Sequence, residues 1–143
     1  MNKLRDRRGN SVIEFALMTP WILFAFVGAL DWGFFSYALI STQSAARVAA
    51  TYASTDSTTA TDSAGVCMYA LYELEAQPNV GASVTTCNAL PVVVTTQLLN
   101  AGPDGAKAAQ VDVAYQTVPL IPIPGLLTGQ ITLKRTVKMK LKG

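Results

Sequence analysis

The chain contains no histidine, and only 14% of its 143 residues are charged, against about a quarter in an ordinary soluble domain. Without histidine it lacks the side chain most often used as a general base and the commonest metal ligand. The two cysteines, Cys67 and Cys87, cannot complete a tetrahedral zinc site alone, so neither a metal nor another cofactor is expected. No glycine-rich phosphate loop or nucleophile motif occurs, and the acids are scattered rather than paired, so the sequence argues against an enzyme.

What charge there is lies unevenly. Lys3, Arg5, Arg7 and Arg8 face only Asp6 in the residues up to Gly9, and Lys134, Arg135, Lys138, Lys140 and Lys142 close the chain with no acid among them. Between these ends, Arg47 and Lys107 stand against Glu14, Asp31, Asp56, Asp62, Glu73, Glu75, Asp104 and Asp112. Half of all residues are apolar, which points toward a membrane or the interior of a polymer. The length allows one small domain beside any membrane segment.

From Phe15 to Leu30 the run FALMTPWILFAFVGAL carries no charge, and beyond Asp31 the sequence stays apolar as far as Ile40. Sixteen residues make about 24 Å of helix, short of a bilayer core of roughly 30 Å, and the extension past Asp31 supplies the missing length. Asp31 then falls near an interface beside Trp32. Bases cluster just before the run and not just after it, which places the amino terminus in the cytoplasm and the rest outside. A secretory signal peptide is the competing reading. Glu14 at the start of the run, the length of the run, and its helical continuation into AARVAATYA count against that reading. Pro20 is expected to bend or open the helix near Ala16, and Ala29 and Gly33 have the spacing of close helix contacts. Ala45, Ala46, Ala49, Ala50 and Ala53 form a smooth stripe on which a domain can pack, with Gln43 and Arg47 off it.

The segment RRGNSVIEFALMTPWILFAFVGALDWGFFSYALISTQSAARVAATYA resembles the amino-terminal region of TadE-like proteins, the pilin-like subunits of tight-adherence (Flp) pilus systems. The resemblance implies cleavage by a prepilin peptidase between Gly9 and Asn10, with Glu14 at the fifth position of the product. Phe15 then stands where major Flp pilins usually carry tyrosine, and the large carboxyl-terminal part looks like a minor pilin or pseudopilin. The implied partners are the inner membrane, the peptidase, other pilin-like subunits and the assembly platform. The leader holds four bases and one acid, so its removal takes the net charge from +2 to −1. Cleavage also frees the α-amino group of Asn10, which a neighbouring subunit's Glu14 can pair with at low dielectric. The other reading of Glu14 is a carboxylate at headgroup depth that reaches water.

These expectations divide the chain into a leader (1–9), a hydrophobic helix that spans the membrane in its first half (10–54) and a small exported domain (55–143). The Ser, Thr and Asp of TYASTDSTTATDS should end the long helix and cap the next. Val66, Cys67, Ala70, Leu71 and Leu74 have the spacing of an amphipathic helix that stops before Pro78. Strands are expected over 83–87, 92–97 and 110–118, with a turn at NAGPDG. A final strand should place Ile131, Leu133, Val137, Met139 and Leu141 on one face and Lys134, Lys138, Lys140 and Lys142 on the other, with Arg135 breaking the pattern. The fold class is α+β and pilin-like: a long transmembrane helix, a short helix and a small antiparallel sheet. An even cysteine count in an exported domain reads as one Cys67–Cys87 disulfide, and two reduced thiols in a cytosolic protein is the alternative.

The Pro-rich stretch VPLIPIPGLLTG is either a subunit contact or folded back on its own sheet. The basic final strand admits a second class of function, binding of DNA or lipid phosphates, against which stands a plain solvated strand face; nucleic acid is the less favoured partner. The remaining alternative is an uncleaved single-span scaffold or adhesin.

Overall fold

The structure, a computed structural model, describes residues 6–102, 104–118 and 130–142, without the side chains of 6–11 and 82. The chain divides into two compact units, Met1–Phe34 and Phe35–Gly143. The Pro-rich connection and the first part of the basic leader lie outside the described residues.

Helix α1 runs over Asp6–Ala53, with Pro20 inside it. Within the first unit its large apolar side chains are exposed: Phe15, Leu17, Trp21, Leu23, Phe24 and Phe26 each show more than half of their surface. No aqueous domain gains from such a helix, because burying each of these side chains is worth about 1.5–3 kcal/mol. Over Val12–Ala53 the helix is long and apolar enough to cross a membrane. Asp31 departs from this pattern. It is buried, and its Oδ2 has no hydrogen-bond partner among the described residues.

In the second unit the same helix changes character. Ala45, Ala46, Ala49, Ala50 and Ala53 are fully buried in the core, as their spacing predicts. Methyl side chains leave little between the helix backbone and whatever packs on it, so the stripe works as a flat bed for the rest of the domain. The helix ends at Ala53, inside the Ser/Thr/Asp-rich segment. There Asp56 accepts from the backbone N–H groups of Thr58 (2.7 Å) and Thr59 (2.8 Å), and a short 3-10 turn follows at Thr59–Thr61. Asp62 caps helix α2 (Ser63–Leu74) by accepting from the Gly65 N–H at 3.1 Å. Val66, Ala70 and Leu74 are buried at helical spacing, and α2 stops before Pro78.

The sheet is an antiparallel meander in the order β1-β2-β3-β4, formed by Asn88–Ala89, Val92–Leu99, Ala108–Gln116 and Thr132–Lys140. Its register places Val94 opposite Val113 and Val113 opposite Arg135. Val92, Val94, Val111, Val113, Tyr115 and Leu133 thus share the buried face, while Thr132, Lys134, Thr136, Lys138 and Lys140 stand on the exposed one. The alternation of the last two strands is legible residue by residue. Gly105 takes a positive φ of 75° in the turn between β2 and β3, a conformation that favours glycine.

One expected strand is absent among the described residues. Residues 83–87 do not form a ladder: a 3-10 turn covers Gly81–Ser83, and pairing with β2 is confined to Asn88 and Ala89. Val84, Thr85 and Thr86 have strand-forming side chains, but the only continuation of pairing is a Val94 N–H donated to the Cys87 carbonyl at 3.0 Å. Strand propensity alone is a weak preference that tertiary context overrides.

Candidate assembly interface

The Gly9–Asn10 bond lies within the helical residues of α1, and Glu14 and Phe15 follow one to two turns on, both exposed. Phe15 leaves 69% of its surface uncovered, like its apolar neighbours Val12 and Leu17. A carboxylate therefore stands among bare apolar side chains near the start of the helix, an arrangement suited to another helix in a lipid or polymer setting and ill suited to water.

In the second unit, Cys67 of α2 and Cys87 form a disulfide, with Cα atoms 5.7 Å apart and a sequence separation of 20. The bridge ties α2 to the entry of β1. Around α2 the polar contacts are local and directional. Tyr52 of α1 donates to Asp62 at 2.8 Å, and its ring lies 4.7 Å from that of Tyr69. Ser44 donates to Glu73 at 3.0 Å. The Gly65 backbone N–H, followed by the Tyr52 hydroxyl, holds the Asp62 carboxyl below its usual range. The Thr58 hydroxyl and then the Thr59 N–H do the same for Asp56. On the other side of the core, Tyr115 donates to Asn79 at 2.6 Å, and Asn79 in turn donates to the Gln116 carbonyl at 2.7 Å. Burial pushes the Tyr115 hydroxyl up.

Lys134, Lys138 and Lys140 are brought together on the exposed face of β4, and Lys142 is exposed just past its end. Thr136 between them donates to Asp112 of β3. Arg135 points the other way, into a cleft of about 450 Å³ that it shares with Leu39, Gln43, Ser44 and Arg47 of α1. This explains why it interrupts the apolar side of the strand. Among the described residues no group of three or more His, Cys, Asp or Glu could hold a metal ion.

Sequence reasoning missed the burial of Asp31 and Gln77, each of which has a buried polar atom without a hydrogen-bond partner among the described residues. For Asp31 a signal existed, since it is the sole charge between Phe15 and Ala46. Gln77 offered none.

Residues 9–51 match the family model described as TadE-like protein. This segment is TadE-like. TadE-like proteins belong to the tight-adherence pilus system and are structural rather than enzymatic, and the long apolar helix found near the amino terminus among the described residues fits a membrane anchor. The TadE-like match begins at Gly9 and ends two residues short of the helix end, so it takes in the apolar run and most of the alanine stripe but none of α2 or the sheet. No curated protein and no solved structure matches the chain.

Proposed function

We propose that the chain is a minor pilin or pseudopilin, cut after Gly9, that helps to initiate, cap or assemble a tight-adherence pilus used in surface attachment. The observation that carries this reading is where the TadE-like match starts: at Gly9, with Glu14 at the fifth position beyond it. Before cutting, the protein waits in a bacterial inner membrane with its basic leader in the cytoplasm and its disulfide-bonded domain outside, where an oxidising compartment sustains the bridge. Glycine in a helix weakens it by roughly 0.5–1 kcal/mol, so the turn that holds Gly9 is an easy one for a peptidase to unwind. Cutting converts Asn10 into a cation, and the exposed Glu14 of a neighbouring subunit is its partner. The exposed apolar surface from Val12 to Phe26 exchanges lipid for neighbouring helices when subunits enter the filament.

Coexpression with an active prepilin peptidase, followed by intact-mass measurement, tests this. The expected product lacks Met1 to Gly9, and Gly9→Leu blocks its formation. Persistence of the full-length mass beside an active peptidase overturns the reading in favour of an uncleaved single-span protein.

A further inference from the structure

Between Arg47 and Lys107 the chain has no lysine or arginine at all, yet it holds Asp56, Asp62, Glu73, Glu75 and Asp104. From Lys107 onward the balance reverses, with six bases and Asp112 as the only acid. The fold turns this sequence polarity into a spatial one. Helix α2, in the acidic stretch, packs beside β2, while four of the six bases are carried on β4, separated from β2 by the whole of β3.

Each pole has an exposed surface. On α2, Met68 and Tyr72 are 63% and 75% exposed and one helical turn apart, with Tyr69 beside them and the exposed Glu75 at the helix end. Tyrosine and methionine bare at this level, next to the acid Glu75, are the composition of an interface core and rim rather than of a solvated helix face. On β4, Lys134, Lys138 and Lys140 form a row about 20 Å long, at roughly 3.4 Å per residue. On the Met68 and Tyr72 face the acid is Glu75, since Asp62 and Glu73 lie toward α1 and accept from its Tyr52 and Ser44. Lysine over a tyrosine ring gains a cation–π attraction in addition to its pairing with a carboxylate.

We infer that the α2 surface of one copy of this chain docks on the β4 lysine face of a second copy. The two surfaces are different parts of the same molecule, so the contact is heterologous: each copy retains one free α2 face and one free β4 face. Such a contact propagates in one direction and builds an open helical array unless the rotation closes it into a ring. The inference builds on the pilin-subunit reading, because that reading brings copies side by side. Its test omits the peptidase, so that its failure leaves the processing result untouched.

The test is made on the full chain in detergent, with a photo-crosslinking amino acid in place of Tyr72. Light should join two copies, and mass mapping of the product should place the attachment on β4 between Thr132 and Lys142. The crosslink yield should fall about tenfold in Lys138→Glu and in Glu75→Lys. Mixing those two variants should restore it, since the reversed α2 surface of one then meets the reversed β4 surface of the other and the charges are opposite again. Raising the salt from about 0.05 to 0.5 M should weaken the wild-type crosslink. Attachment to α2 of the second copy, no crosslink at all, or a yield unmoved by either charge reversal overturns the inference. So does a Lys138→Glu chain that crosslinks normally but loses co-flotation with anionic lipid vesicles, which would make the lysine row a lipid-facing surface.

Discussion

Helix α1 offers two halves of one element that solve opposite problems. Before Phe34 it carries Phe15, Trp21, Phe24 and Phe26 bare, and after Phe35 it carries alanines that are wholly covered. Hydrophobicity alone does not separate the halves. Side-chain size does: the first half presents bulk to whatever apolar medium surrounds it, whereas the second has given up bulk so that a sheet and a short helix can lie against its backbone. An average over the whole helix would describe neither.

The comparison can be broken by perturbing one half at a time. The largest effect is expected from removing the bridge that holds the domain packed on the second half. Cys67→Ser with Cys87→Ser should cost roughly 3 kcal/mol of domain stability for a loop of this span. Thermal unfolding followed by near-ultraviolet circular dichroism measures it, while the helical signal of the first half should persist through the transition. Next, Ala49→Leu places a large side chain where no space exists and should cost about 1–3 kcal/mol in the same experiment. Leu23→Ala, in the exposed half, should leave that midpoint unchanged. Equal responses to the two substitutions would erase the distinction. Tyr115→Phe strands the Asn79 carbonyl oxygen and should cost about 1 kcal/mol.

The smallest effect is one of pH. The carboxyls of Asp56 and Asp62 lie below their usual range in the folded domain, so at neutral pH both contribute stability. That contribution is fully present above the unfolded carboxylate value of about 4 and fades as the pH falls through the lower folded values. The midpoint of the domain should therefore drop on acidification, and drop less in Asp62→Asn. A slope unchanged by that substitution would remove Asp62 from the account.

Where the chain repeats a simple period, its sequence and its structure agree closely. The alanine stripe, the buried side of α2 and the alternation of β3 and β4 each depend on side chains facing one partner surface, and such faces are written in the order of residues. Residues 83–87 and Asp31 show where that legibility ends. The first has strand-forming side chains but hardly pairs with β2, and pairing is set by distant parts of the chain. Asp31 is an acidic residue and yet buried, which its apolar neighbours in sequence do not announce. The candidate site divides the same way. Gly9, Glu14, the cysteines and the lysine row are visible in one dimension, whereas the exposed Met68 and Tyr72 become meaningful only once Val66, Ala70 and Leu74 have claimed the other face of α2.

The stretch without bases has a practical consequence for anyone who assays the disulfide. Trypsin, which cuts after lysine and arginine, finds no site between Arg47 and Lys107 and so releases residues 48–107 as one piece with both cysteines inside. The bridge then joins no two peptides, and its presence is read only as a fragment lighter by a pair of hydrogen atoms. A second protease, cutting at Glu73 or Glu75, is what turns the covalent link into two separable strands of a digest.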